Sequence, residues 1–260
     1  MVYKTLICIF AGMGAGITTG FAGLSAAVFI TPMLVSFLDV PVFDAVGIAL
    51  ASDVLASAIS AYTYGKNGNI DLKRGKRLMI SVLSFAIIGS GIAFFLSASE
   101  TGDTILGFWS ILGSIYLGFN FLLHPEGSSI SFFSKLHGRS QALTEIACGA
   151  FVGFVCGFQG TGGGLLMLLI LTIVMQFEYK KAVGTSVFIM TFTALIGSIS
   201  HFLMNGFPSY DIFCICVAST LIFARIGAVI ANRISARSLH LITGTLLSVM
   251  GVVMLINKLI

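Results

Sequence analysis

A spacing of glycines that occurs twice is the feature that most constrains this chain. Each glycine of the first set has a partner 137 positions later. The two sets are Gly12, Gly16, Gly20 and Gly23, and Gly149, Gly153, Gly157 and Gly160. The run from Ala45 to Gly47 recurs at the same offset, from Ala182 to Gly184. The chain is therefore a duplicated unit, and a hydrophobic protein with two related halves is typical of membrane transporters.

The composition identifies an integral membrane protein. Of 260 residues 57% are hydrophobic and 9% are charged, whereas a soluble domain carries about 25% charged residues. The hydrophobic stretches are long and lack the alternation of barrel strands, so they predict helices. The net charge of +4 is small and reports orientation in the membrane rather than a nucleic-acid-binding surface. All five cysteines fall in hydrophobic segments, so no disulfide framework is expected.

Six ordinary spans are predicted, since about 20 hydrophobic residues cross a bilayer. They cover residues 42–64, 77–97, 104–123, 181–204, 209–231 and 238–257. Two stretches, 5–38 and 140–177, are too long for one helix and contain the glycine sets. We expect each to form a helical hairpin, with tips near Gly20 to Ser25 and near Cys156 to Gly164. The N-terminal stretch lacks the short core of a signal peptide and is expected to be retained.

The charges of the loops predict the orientation. Segments rich in Lys and Arg are 65–77, 124–140 and 232–237. Segments whose charges are all acidic are 98–103 and 205–211. By the positive-inside rule the first group is cytoplasmic and the second lies outside. The stretch 140–177 must then return to the side where it began, and both chain termini lie outside.

We therefore predict an all-α integral membrane protein, a polytopic helical bundle of two repeats. The repeats are residues 1–123 and 141–260, and a cytoplasmic loop at 124–140 joins them. Each repeat has a glycine-tipped helical hairpin and three spans. An odd number of passes inverts the second repeat, so the halves are related by a pseudo-two-fold axis in the membrane plane. Charge alone does not separate a re-entrant limb from a complete crossing, and both remain open.

The hairpin tips are the first candidate site. Glycine exposes backbone N–H groups there, and the limb that follows begins with a helix N-terminus, which attracts an oxyanion. We expect two tips that meet near the midplane to hold one small anion. The predicted substrate-binding residues are Gly20, Phe21, Gly23, Ser25, Gln159, Gly160, Thr161, Gly162, Gly163, Thr185 and Ser186. The alternative is close helix packing, which we prefer for the earlier glycines, Gly12, Gly16, Gly149 and Gly153.

Charged and hydroxyl residues inside the spans are further candidates. Asp53 lies in the middle of a span, where a charge is costly and functional by default. It either couples transport to a proton or sodium ion, or is a protonated carboxyl bonded to a neighbouring helix. Arg225 either attracts an anion weakly or extends its side chain to the cytoplasmic face. Thr185 and Ser186 offer hydroxyls either to a substrate or to their own backbone.

No enzyme signature is found in the sequence. It has no His-Glu-x-x-His pair, no Walker A lysine and no Cys-x-x-Cys pair. The run Gly23-Leu24-Ser25-Ala26 lacks the final glycine of the Gly-x-Ser-Gly motif of rhomboid proteases. The sequence therefore predicts no catalytic residue, no metal site and no cofactor.

At these residues the sequence resembles the sulfite exporter TauE/SafE family, also called the toluene sulfonate uptake permease family. The resemblance covers nearly the whole chain and is most specific from Gly153 to Gly164 and from Gly184 to Ser186. The first half departs from the family pattern, with Ile48-Ala49 in place of Thr-Ser and no Gly-Gly-Gly tip. The resemblance implies a membrane permease for sulfite, sulfonates or related small organic anions.

Residues and resemblance together predict a secondary transporter of a small anion that works by alternating access in a bacterial or archaeal cell membrane. The expected partners are the anion, a coupling proton or sodium ion and the lipid bilayer, with no nucleic acid. One alternative is an anion channel, which the same tips would suit. The other is a membrane-embedded enzyme or scaffold without transport.

Overall fold

A computed structural model describes residues 2–97, 139–159 and 163–235, with single positions between 119 and 256. Within these residues every regular element is helical. The helices are α1 (Val2–Ala22), α2 (Ala27–Leu38), α3 (Val42–Lys66), α4 (Leu72–Ser97), α5 (Arg139–Gln159), α6 (Gly164–Leu169), α7 (Tyr179–Asn205) and α8 (Tyr210–Arg233). A π-helical turn at Ile170–Val174 continues α6. Six helices, all except α2 and α6, are long and apolar enough to cross a bilayer.

The four predicted spans that lie in the described residues are confirmed, with one clear shift of boundary. The spans predicted at 42–64, 181–204 and 209–231 correspond to α3, α7 and α8. Helix α4 begins at Leu72 rather than at residue 77, so the basic residues there form its first turns instead of a loop. Asp71 favours this early start, because its side chain accepts a hydrogen bond from the Arg74 amide at 3.2 Å. The spans predicted at 104–123 and 238–257 lie outside the continuously described residues.

Each of the two long stretches contains two helices, as predicted, and the first of them extends into the beginning of the predicted tip. Helix α1 continues through Gly20 and Phe21 to Ala22, and α5 continues through Gly157 to Gln159. Gly23 ends the first limb with a φ of 65°, which glycine adopts without the steric cost of a Cβ. Helical packing of these earlier residues against a neighbouring helix keeps them out of the tips.

Polar contacts show which of the described segments lie at each of the two ends of the bundle. At one end, which we call the Lys4 end, Lys4 pairs with Asp211 at 2.6 Å. At the other, the Arg74 end, Arg74 donates to the Met175 carbonyl at 2.8 Å. Further contacts at the Arg74 end are Arg77 to Glu145 at 3.4 Å and Lys180 to the Asn232 carbonyl at 2.9 Å.

These contacts fix which segments share an end. The start of α5 and the end of the π-helical turn both lie at the Arg74 end, so the second hairpin returns to the end where it began. The basic segment 66–77 and residue 232 lie at that end too, as the loop charges predict. Which end faces the cytoplasm remains a prediction.

The glycines of α1 and α5 lie at the two most extensive helix contacts of the described residues, α1 with α8 and α5 with α4. The contacts along these pairs are Gly12 with Ser219, Gly16 with Thr220 and Ala224, Gly20 with Ala224 and Ala228, Gly149 with Ser81, Gly153 with Val82, and Gly157 with Ala86. A Cβ on Gly16, Gly20, Gly153 or Gly157 would overlap backbone atoms of the neighbouring helix, so the close approach requires glycine. This agrees with the packing interpretation of the earlier glycines and extends it to Gly20 and Gly157.

The helix bounds repeat at the same offset as the glycines. Helices α1, α2 and α3 each begin 137 positions before α5, α6 and α7. The second limb of each hairpin ends in the same way, because Asp39 and Gln176 have left-handed φ values of 51° and 52°. In both, the next amide donates to the carbonyl six residues earlier, Val40 to Leu34 at 3.2 Å and Phe177 to Leu171 at 2.8 Å. The duplication is thus visible in the backbone as well as in the sequence.

Gly153→Val is expected to destabilise the pair of α4 and α5. The added Cβ overlaps the backbone of Val82, and overpacking of this kind costs about 1–3 kcal/mol. The measurement is the thermal unfolding midpoint of the detergent-solubilised protein. Gly91→Val on α4 is the matched control, because a Cβ there meets no atom within 4 Å. Equal midpoints for the two variants would contradict the packing role.

Candidate functional site

The two hairpin tips meet inside the bundle. A Cβ on Gly164 would overlap the carbonyl oxygen of Gly23, so the tips are in direct backbone contact. Ser186 on α7 joins them, because its hydroxyl donates to the Gly164 carbonyl at 3.1 Å. A Cβ built on Gly23 would lie 3.4 Å from the same hydroxyl. The structure therefore brings together Gly23, Gly163, Gly164 and Ser186 in one buried place.

Asp53 lies at the first tip. It is fully buried in the middle of α3, and its carboxylate accepts hydrogen bonds from the Ser25 hydroxyl at 2.5 Å and the Ala26 amide at 2.6 Å. These two donors stand at the start of α2, where the helix dipole favours a negative charge. The three ion pairs of the described residues do not involve Asp53. The N-terminus of α2 is therefore occupied by a side chain of the protein itself.

The second tip differs at the equivalent positions. The residue 137 positions after Asp53 is Met190, and those matching Ser25 and Ala26 are Gly162 and Gly163. The sulfur of Met190 lies 2.9 Å from a Cβ built on Gly164, and Gly163 provides no side-chain cap for α6. The two tips thus differ in chemistry, because Asp53 contacts the first tip whereas Met190 stands at the equivalent position beside the second.

Two hydroxyl groups near the tips have structural partners. Thr185 faces the connection between α3 and α4, because its hydroxyl accepts from the Asp71 amide at 3.1 Å. Tyr64 was not predicted as a site residue, although it is fully buried. Its hydroxyl donates to the carbonyls of Gly20 and Phe21 at 3.1 and 3.3 Å, where α1 ends. The signal for it was a tyrosine inside a hydrophobic span, because a buried phenol needs a partner.

The other predicted residues lie apart from the tip contact or outside the described chain. Gly20 packs on α8, and Phe21 is buried in the core beside the first tip. Arg225 is on an exposed face of α8, eight residues before Arg233, which favours extension of its side chain to the membrane surface. The side chain of Gln159, and Gly160, Thr161 and Gly162, lie outside the described residues.

A cavity of about 360 Å³ lies at the Lys4 end. Its lining includes Lys4, Leu38, Val40, Asp44 and Ser209. Its volume falls within the range of small-molecule sites, about 300–1,000 Å³. Among the residues that the structure describes, no group of three or more His, Cys, Asp or Glu side chains is placed to hold a metal ion.

Comparisons with known proteins agree with this architecture. The family model described as sulfite exporter TauE/SafE matches residues 8–254. The probable membrane transporter protein MJ0441 of Methanocaldococcus jannaschii is 26% identical, over 96% of this chain and 95% of its own. The probable membrane transporter protein YunE of Bacillus subtilis is 26% identical, over 95% of both chains. No solved structure matches significantly.

Six helices of the described residues are long and apolar enough to cross a membrane, and the family match covers most of the sequence. The chain is a multi-pass protein of a prokaryotic cell membrane and belongs to the sulfite exporter TauE/SafE family of membrane transporters.

Proposed function

We propose that this protein is a secondary transporter of a small oxyanion, such as sulfite or a sulfonate, and not an enzyme. The observation that carries the proposal is the buried backbone contact between two glycine-rich tips, from Gly23 to Gly164. Irregular backbone at membrane depth occurs only where protein buries it or where it lines a cavity. In transporters such broken helices form the substrate site between the two repeats.

The substrate site is proposed to lie between the tips. Backbone N–H groups near Gly163 and the hydroxyl of Ser186 are donors suited to sulfite or sulfonate oxygens. Asp53 already neutralises the partial positive charge at the first tip, where α2 begins. In this proposal the second tip therefore contributes more to anion binding. Gly160, Thr161 and Gly162 remain proposed contacts on the basis of the sequence.

Alternating access between inverted halves is the proposed mechanism. It is supported by helix bounds that repeat at one offset and by hairpins that begin at opposite ends of the bundle. It is also supported by the cross-packing of the halves, since the first helix of each half packs on the last described helix of the other. A rocking motion of one half against the other would then expose the tips to each side in turn.

Asp53 is the proposed coupling residue. A fully buried carboxyl with no cation partner among the described ion pairs is costly when charged. Its two donors at the start of α2 reduce that cost without removing it. Proton uptake by Asp53, or binding of a cation beside it, would change its hydrogen bonds to the first tip. The position of the first hairpin would then depend on the ion.

Uptake into proteoliposomes tests the function. The probe is radiolabelled sulfite, with thiosulfate, taurine, sulfoacetate and short carboxylates as competitors, under an imposed pH or sodium gradient. Accumulation above equilibrium is expected for a secondary transporter. Equilibration without accumulation under either gradient would instead identify an anion channel. Absence of any anion movement by protein that is folded and inserted would overturn the proposal.

The orientation of the bundle is tested by labelling of single cysteines with a membrane-impermeant thiol reagent. We expect Lys135→Cys to react from the cytoplasmic side and Ser209→Cys to react from outside, because basic loops are retained inside. The native cysteines are replaced by alanine in both variants. The opposite result at both positions would show that the argument from charge is wrong.

A further inference from the structure

We propose that Arg74 is the gate residue that closes the access path at the Arg74 end, while the cavity at the Lys4 end is the open path for the substrate anion. This inference rests on the proposed transport function. It assigns to the structure a state that is open at the Lys4 end and closed at the Arg74 end. It also assigns a gating role to Arg74, which the sequence analysis placed only in a basic segment.

The turns at the two proposed access paths have the same backbone conformation. Each lies where the second limb of a hairpin ends, and both limbs end with a left-handed residue, Asp39 or Gln176. The same hydrogen bond follows in each, from Val40 to Leu34 and from Phe177 to Leu171. Because the main chain is alike at both ends, a difference in access must come from the side chains that cover these turns.

The side chains at the two turns differ in their exposure to solvent. Leu38 and Val40 are half-buried and line the 360 Å³ cavity. Their equivalents 137 positions later, Met175 and Phe177, are only 7% and 6% exposed. The residue that covers this second turn is Arg74.

Arg74 makes two contacts with the covered turn. Its guanidinium donates to the Met175 carbonyl at 2.8 Å and lies over the Phe177 ring, 4.6 Å from the ring centre. The first contact is a charge-assisted hydrogen bond, and the second is a cation–π interaction. Both join the first turn of α4, from one half, to the hairpin of the other half. Movement of the halves against each other must therefore break them.

The equivalent position in the other half has the opposite chemistry. The residue 137 positions after Arg74 is Asp211. Asp211 turns to Lys4 on α1 at 2.6 Å instead of lying over the hairpin turn. A carboxylate can neither donate to a carbonyl nor stack favourably on a ring as a cation does. One entrance is thus closed by an arginine, and the other has no such closure at the matching position.

The charge of the gate suits an anionic substrate. When the guanidinium leaves the carbonyl and the ring, it becomes a free positive charge at the mouth of the path. At the Lys4 end, Lys4 lines the cavity together with Asp39 and Asp44, and its charge is paired with Asp211 at 2.6 Å. The positive charge of a released Arg74 raises the local concentration of a small anion at the other mouth.

Cysteine accessibility tests the gate without any need for transport. Leu38→Cys and Met175→Cys are placed separately in a protein whose native cysteines are alanine, and both faces are treated with an anionic, membrane-impermeant thiol reagent. With Arg74 present, we expect rapid labelling of Leu38→Cys from the Lys4 end and slow labelling of Met175→Cys from the Arg74 end. Arg74→Ala is expected to raise the labelling rate of Met175→Cys at least about tenfold, the scale of one charge-assisted contact, and to lower that of Leu38→Cys.

Matched variants make each outcome decisive. Lys73→Ala removes the neighbouring positive charge, which is exposed, and should change neither rate. Phe177→Leu removes the ring and keeps the arginine, so it should raise Met175→Cys labelling even if Arg74→Ala does not reach the membrane. Unchanged labelling of Met175→Cys in both gate variants would overturn the gate. The expected change in labelling with no movement of any anion would uphold the gate and refute the transport function.

Discussion

Gly164→Ala is expected to lower uptake strongly. The added methyl group overlaps the carbonyl oxygen of Gly23 and lies 2.9 Å from the sulfur of Met190. The tips cannot then keep their backbone contact, and the donors around Gly163 move away from Ser186. We expect uptake of radiolabelled sulfite, per amount of inserted protein, to fall at least about tenfold, which corresponds to about 1.4 kcal/mol of transition-state stabilisation.

The control for this variant is Gly91→Ala on α4, where a new methyl group meets no atom within 4 Å. Gly23→Ala is a second test of the same contact, since its left-handed φ of 65° disfavours any side chain. Both tip variants should lose uptake while Gly91→Ala keeps it. Normal uptake by folded Gly164→Ala would place the substrate elsewhere in the protein.

Asp53→Asn is expected to separate binding from coupling. Asparagine can keep both contacts, with its carbonyl oxygen accepting from the Ala26 amide and its amide donating to the Ser25 hydroxyl. The first tip should stay in place, and exchange of internal for external substrate should continue. Accumulation driven by a pH or sodium gradient should be lost, because the side chain no longer ionises.

The two measurements for this variant are exchange and gradient-driven accumulation in the same proteoliposomes. Asp211→Asn is the matched control, since its carboxylate is exposed and pairs only at the protein surface, where an ion pair contributes little. Full accumulation by Asp53→Asn would show that Asp53 has only a structural role, as a hydrogen-bonding partner of the first tip. Loss of exchange as well would show that the variant damages binding rather than coupling.

Several features of the fold could be predicted because they depend on periodic or local properties. The spans α3, α7 and α8 follow from the length of their hydrophobic runs. The hairpins follow from loop charge together with the glycine clusters. The packing glycines, such as Gly16 and Gly153, follow from a spacing of four residues, which places them on one helix face.

The positions of the helix breaks were less predictable. The predicted tips began at Gly20 and at Cys156, yet Gly20 and Gly157 are helical and pack against α8 and α4. A glycine serves equally well in a close helix contact and in a turn, and only the neighbouring helix decides between the two. The start of α4 was misplaced for a similar reason, because a basic run reads as a loop although lysine and arginine are good helix formers.

The candidate site shows the same division between local and tertiary information. Hydropathy, charge and spacing are local quantities, and they suffice to predict a duplicated membrane protein with two glycine-rich tips and an acid at mid-span. The packed structure was needed to show that Asp53 caps the first tip, that Ser186 joins the tips and that Arg74 covers one of two equivalent turns. Those pairings join residues distant in sequence, and they depend on how the helices of the two halves pack rather than on any local pattern.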